Sequence, residues 1–199
     1  MKDARKELLR RIKEEIINLT ESPLYKLRIA NKVFPVIGEG NHNAKIMFIG
    51  EAPGRNEAEK GRPFCGPAGQ ILTEIIESIG LKRQDVYITN IVKDRPPGNR
   101  DPRPEEINIY GPFLDRQIEI IQPRLIATLG RYSMVYIIQK FGRTNELKPI
   151  SYIHGQIFNG KASYGEIKII PLYHPAAALY QTGLREQMFK DFKVIKKFL

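Results

Sequence analysis

Three polar residues stand at matching places along this chain. Glu51 follows the apolar run Ile46-Met47-Phe48-Ile49, Asn90 lies near the end of the run 86–92, and His174 follows the run 167–172. In a parallel sheet such strand ends share one edge, so a carboxylate, an amide and an imidazole far apart in sequence can converge on one ligand. The stretch around Glu51 is punctuated by Gly50, Pro53, Gly54, Gly61, Pro63 and Gly66, and it carries a second carboxylate, Glu57, and one aromatic, Phe64. Taken alone, a strand, a glycine-rich loop and a helix also suit a phosphate cradle, which would point to a nucleotide enzyme.

The elements that must position these residues follow from periodicity. Leu8, Leu9, Ile12, Ile16, Ile17 and Leu19 fall near one stripe, which predicts an amphipathic helix over 3–19, while 20–43 reads as irregular. Residues 46–49 are a buried strand. Beyond Gly66, the spacing of Ile71, Leu72, Ile75, Ile76 and Ile79 predicts a helix opened by Pro67 and stopped at Gly80. A second strand over 86–92 leads into a basic, proline-rich loop over 93–104 and a helix that Pro112 should kink or restart. Leu125–Leu129 is a third strand, followed by a helix near 133–141. Residues 143–166 are turn-rich, with short strands expected around Ile153 and Ile157. A fourth strand over 167–172 and an amphipathic helix over 185–198 close the chain. This alternation predicts an α/β fold: a three-layer α/β/α sandwich on a central, largely parallel four-stranded sheet, with 1–199 as a single domain.

Lys and Arg number 32 against 22 Asp and Glu, and the resulting charge of +10 favours a polyanionic partner, nucleic acid being the commonest. The opening MKDARKELLRRIKEE is too charged for a signal peptide, and no apolar run reaches membrane-spanning length, so a cytoplasmic protein with no membrane partner is expected. Cys65 is the one cysteine, which excludes an internal disulfide and a cysteine-rich metal site.

Four blocks in register carry a family likeness: Gly50-Glu51-Ala52-Pro53-Gly54, the loop Gly61-Arg62-Pro63-Phe64-Cys65-Gly66-Pro67-Ala68-Gly69, the stretch from Thr89-Asn90 to Gly98-Asn99-Arg100, and His174-Pro175-Ala176. Through them the chain resembles the uracil-DNA glycosylase superfamily, from about Leu19 to the C-terminus. Within it the likeness is to the thermostable family 4 branch, which carries a four-iron, four-sulfur cluster.

The resemblance implies a prokaryotic repair enzyme that flips uracil out of DNA and hydrolyses its N-glycosidic bond with water, leaving an abasic site. Phe64 matches the aromatic that stacks on the flipped ring, with a plain core residue as the competing reading. Asn90 matches the base-reading asparagine. Its amide donates to uracil O4 and accepts from N3–H; cytosine turns both contacts wrong and is rejected by roughly 10⁴ or more. A turn or cap is the alternative. His174 matches the histidine that donates to O2 as charge gathers there, and one such donor is typically worth about 3–4 kcal/mol; the alternative is a structural histidine. Glu51 is implied for water and the sugar cation, and Glu57 for bracing the loop or sharing that role. The backbone around Gly50 and Ala52 is implied for the base or a phosphate.

On the DNA side, Arg62, Lys93, Arg95, Asn99 and Arg100 match phosphate-facing positions, with ordinary solvation competing for each. His174, Pro175, Ala176 and Leu179 match the loop that enters the duplex; Leu179 fits a wedge or a core contact equally. His42 and His154 are expected to be structural, and His154 stands where the family usually has arginine. The implied partner is uracil-containing DNA, single- or double-stranded. A sliding clamp is left open, and a monomer is expected.

One departure matters. The positions of the four cluster cysteines fall at Leu19, Ser22, Asp94 and Tyr110. Ligation needs thiolates, so no iron–sulfur cluster, metal or other cofactor is expected. Two competing functions remain open: a glycosylase for hypoxanthine or xanthine, and a non-catalytic DNA-binding member of the superfamily.

Overall fold

A computed structural model describes residues 2–199. In chain order the elements are α1 (Lys2–Ile17), α2 (Tyr25–Ala30), β1 (Glu39–Gly40), β2 (Ile46–Gly50), α3 (Arg55–Lys60), α4 (Pro67–Ser78) and β3 (Tyr87–Asn90). There follow α5 (Pro104–Ile121), β4 (Leu125–Leu129), α6 (Arg131–Lys140), α7 (Ile150–Ile153), β5 (Phe158–Ala162), β6 (Gly165–Leu172) and α8 (Thr182–Phe192).

The strands form one sheet in the order β1-β3-β2-β4-β6-β5. The inner four, β3, β2, β4 and β6, run parallel, so their carboxyl ends share one edge. The expected four-stranded parallel sheet is thus the centre of a six-stranded mixed one. Its edges are the two-residue β1 and the hairpin partner β5, both antiparallel. Both are short and partly exposed, so neither carries an apolar run for the sequence to announce.

Side-chain alternation builds the three layers. Met47 and Ile49 of β2 join one core with Ile12, Tyr110, Leu114 and Ile118, while Ile46 and Phe48 join the other with Leu72, Ile75, Ile76 and Phe192. All five β2 residues are buried, which is why this strand reads as an unbroken apolar run.

Several local expectations change. Residues 20–43 hold α2 and β1, and the glycine-rich loop holds α3. Ile153 ends a short helix, and Ile157 only precedes β5. Pro112 sits inside a single α5 and does not restart it. It is exposed, as is Asn108 one turn earlier, so the carbonyl that loses its N–H partner can turn to water. The closing helix ends at Phe192 and continues as a 3-10 turn over Lys193–Phe198. Among the described residues no helix is long and apolar enough to cross a membrane.

Candidate active site at the carboxyl edge of the sheet

Register brings the first two site residues together. Gly50 pairs with Asn90 at the ends of β2 and β3. The ladder runs on past the strands, with Ile91 N donating to Gly50 O and Val92 N to Glu51 O, both at 3.0 Å. Gly50 has to lack a side chain: a Cβ there would lie 2.3 Å from Asn90 Oδ1 and 2.7 Å from Phe64 Cζ. The ring and the amide therefore meet directly over the strand end.

Phe64 reaches this place through an unusual backbone. Its φ is 47°, a left-handed conformation that costs a bulky residue of order 1–3 kcal/mol. Two contacts over-determine it. Helix α4 packs so closely that a Cβ on Gly69 would lie 1.9 Å from Phe64 O, and Glu57 Oε1 accepts from Cys65 N at 2.9 Å and Gly66 N at 2.8 Å. Glu57 thus holds two backbone amides of this loop. The Phe64 ring is buried, with its centroid 5.5 Å from that of His174.

Asn90 is 1% exposed, and its Oδ1 has no hydrogen-bond partner. Leaving a buried acceptor unpaired costs about 1–3 kcal/mol. A cap or turn would have satisfied it, so those readings of Asn90 fall away.

Glu51 and His174 approach across Gly130. Glu51 Oε1 accepts from Tyr132 N at 2.9 Å, in the first turn of α6. Burial pushes the Glu51 pKa up, and the Tyr132 N–H opposes that shift. His174 caps the 3-10 turn Pro175–Leu179 through its Nδ1, which accepts from Ala176 N at 3.2 Å. Desolvation pulls its pKa down to about 4, with the Glu57 charge pulling the other way. The neutral imidazole with Nδ1 as acceptor carries its proton on Nε2, free to donate.

The expected DNA-facing residues divide. Leu179 is 44% exposed, which removes the core-contact reading, and the neighbouring Tyr180 is 86% exposed. Pro175 is buried beneath that turn, and Ala176 is half-buried. Arg62 is exposed and paired with Glu39 at 2.7 Å, and Arg95 Nε donates to exposed Asn99 Oδ1 at 2.6 Å. Arg100 forms two bonds to buried Glu106, whose carboxylate also accepts from Arg103 N at the start of α5, so it secures the helix start. Lys93 corrects the expectation outright. It is fully buried, with Nζ bonded to Thr89 Oγ1, Asn90 O and Gln117 Oε1, and it cannot reach a phosphate. His154 is structural as expected: Nδ1 lies 2.7 Å from Asp191 Oδ2, and its ring packs 4.6 Å from that of Tyr173. Gly130 and Tyr132 were missed as site residues; the glycine directly after the third apolar run was the available signal.

The four cluster positions hold something else. Ser22 Oγ and Tyr110 Oη lie 2.7 Å apart, and Tyr110 Oη donates to Asp94 Oδ2 at 2.6 Å. Arg28 closes on both Asp94 oxygens at 3.1 and 2.9 Å and donates to the carbonyls of Ile16 and Ile17 at the end of α1. Three of the four positions thus bond to one another, and Leu19 packs against the same core. No thiolate stands there, and the donor set does not fit a thiolate-ligated cluster.

An aromatic, a buried amide and a neutral imidazole thus stand together at one strand edge. The chain as a whole is similar to known proteins. The family model described as the Uracil DNA glycosylase superfamily matches residues 37–195. A Type-4 uracil-DNA glycosylase of Sulfurisphaera tokodaii is 48% identical over 95% of this chain and 84% of its own. Proteins of the same name from Archaeoglobus fulgidus (46% identical; 95% of this chain, 92% of the relative) and Thermotoga maritima (38%; 98% and 96%) are also similar. The chain belongs to the uracil-DNA glycosylase superfamily.

Proposed function

We propose that this chain is a monofunctional uracil-DNA glycosylase working without an iron–sulfur cluster. The observation that carries the reading is the buried, unpartnered Asn90 Oδ1 held beside Phe64 and His174. Uracil stacked on Phe64 supplies the missing N3–H donor, and its O4 accepts from the amide NH2. Cytosine presents a bare N3, which would leave Oδ1 unpaired.

His174 Nε2–H donates to O2 as the glycosidic bond lengthens and the ring takes up charge. This contact strengthens toward the transition state, so it accelerates the step. Glu51, fixed on the Tyr132 amide at the same edge, orients the attacking water and offsets the developing sugar cation. Arg62, Arg95 and Asn99, with the exposed Leu179 loop, hold the DNA and fill the space left by the base.

Uracil-containing oligonucleotides, single- and double-stranded, followed by alkaline cleavage at abasic sites, test this directly. Cleavage at uracil is the expected result. Binding without cleavage would make the chain a non-catalytic DNA-binding protein, and cleavage only at hypoxanthine would redirect the pocket to a purine. Iron analysis after anaerobic purification is expected to find none; about four irons per chain would overturn the cluster-free reading.

A further inference from the structure

Lys93 Nζ sits among three oxygens, Thr89 Oγ1 at 2.8 Å, Asn90 O at 2.6 Å and Gln117 Oε1 at 2.6 Å. None of them brings a hydrogen to the nitrogen. Asn90 O is a backbone carbonyl, and the Thr89 hydroxyl donates to Ile37 O at 2.7 Å. The Gln117 amide is oriented by its own NH2 donating to that same carbonyl at 2.9 Å, which leaves Oε1 facing the lysine. A neutral amine offers two hydrogens and would set its lone pair against the third oxygen, whereas an ammonium satisfies all three.

The Asn90 carbonyl belongs to the peptide whose N–H, that of Ile91, donates to Gly50 O. One hydrogen-bonded line therefore runs from Nζ through this peptide to the residue over which Phe64 and the Asn90 amide meet. We propose that Lys93 is a positioning residue for Asn90, held as a buried ammonium that fixes this end of the pocket and makes it electropositive. The proposal rests on Asn90 reading the base.

Burial draws the lysine's pKa well below its ordinary range, while hydrogen bonds to three oxygens favour the charged form against that pull. All three partners are uncharged, so no carboxylate cancels the charge within the cage. In a low-dielectric interior it acts on the negative charge that builds on departing uracil.

Two measurements test this. In the wild-type protein, the ¹⁵Nζ resonance of Lys93 reports how many protons the nitrogen carries; three at pH 7 is expected, and two overturns the proposal. Lys93→Met keeps the apolar stem and removes the charge. Under single-turnover conditions it is expected to slow uracil release by about 10-fold or more, and release of 5-fluorouracil, a better leaving group, by about 3-fold or less. Equal losses on the two bases would reduce Lys93 to a structural residue, and no loss on either would remove it from the reaction. If Lys93→Met fails to fold, the proton count on the wild type still decides. Asn90→Ala tests the pocket reading separately, since its result leaves the proton count unchanged.

Discussion

Glu51 and His174 meet across a glycine. A Cβ on Gly130 would lie 2.4 Å from Glu51 Oε1 and 3.2 Å from His174 Cβ, and its φ of +100° is one that side chains rarely adopt. The carboxylate proposed to orient water and the imidazole proposed to face the leaving base are therefore spaced by an absent methyl group. Gly130→Ala should push them apart and lower kcat on the order of 10²-fold, the typical cost of a 1 Å misplacement. Single-turnover excision of uracil measures it, and an unchanged rate would sever the two residues functionally.

Asn90 separates activity from stability. Asn90→Ala removes the unpaired acceptor along with the proposed base contacts. Uracil excision should fall on the order of 10²–10³-fold. Relief of an orphaned acceptor, worth about 1–3 kcal/mol, offsets the small cavity, so the melting temperature should hold or rise. A scanning-calorimetry trace showing strong destabilisation would mean that Asn90 is structural after all.

His174 makes stability depend on pH. Its folded pKa of about 4 lies below the ordinary 6.5, so the unfolded chain binds the proton first as pH falls. The contribution is complete above pH 6.5 and is lost as pH falls through the folded value, by up to about 3 kcal/mol. Glu51, whose pKa is raised, adds a slope of opposite sign. Urea unfolding from pH 7 to 4 should show a shallower decline in His174→Gln than in the wild type. Parallel curves would contradict a neutral, desolvated imidazole.

The buried pair of Arg28 and Asp94 should behave as a single unit. Asp94→Ala strands the guanidinium, 4% exposed, and should cost about 3–5 kcal/mol in chemical denaturation. Asp94→Asn keeps an acceptor for Tyr110 and should cost less. Equal losses in the two variants would show that the charge is irrelevant there.

Leu179→Ala should tell duplex from single-stranded substrate. The exposure of Leu179 suits a wedge that only a stacked duplex requires, so Leu179→Ala should slow excision from double-stranded DNA by about 10-fold and leave single-stranded DNA unchanged. An equal effect on both would assign it another task.

The parallel core and the convergence of Glu51, Asn90 and His174 could be read from the chain because apolar runs and strand-end residues are local signals. Phe64 was found through its glycine-rich surroundings. Lys93 was misplaced for a physical reason: a lysine in a basic, proline-rich loop looks solvated, and only the folded positions of Gln117 and Thr89 show that it turns inward. The edge strands escaped for a related reason, since β1 has two residues and β5 alternates with polar positions. Gly130 was seen as the end of a strand, but its crowding is set by two side chains 79 and 44 positions away, beyond the reach of any local pattern.

The polar lock of Ser22, Arg28, Asp94 and Tyr110 is made entirely of encoded side chains. It is complete as soon as the polypeptide folds, with no assembly machinery or metal delivery in between. None of its four side chains carries a thiol, so peroxide finds no sulfur to oxidise within it. The joint that ties α1, α2 and α5 together should therefore keep its geometry in oxidising and reducing surroundings alike.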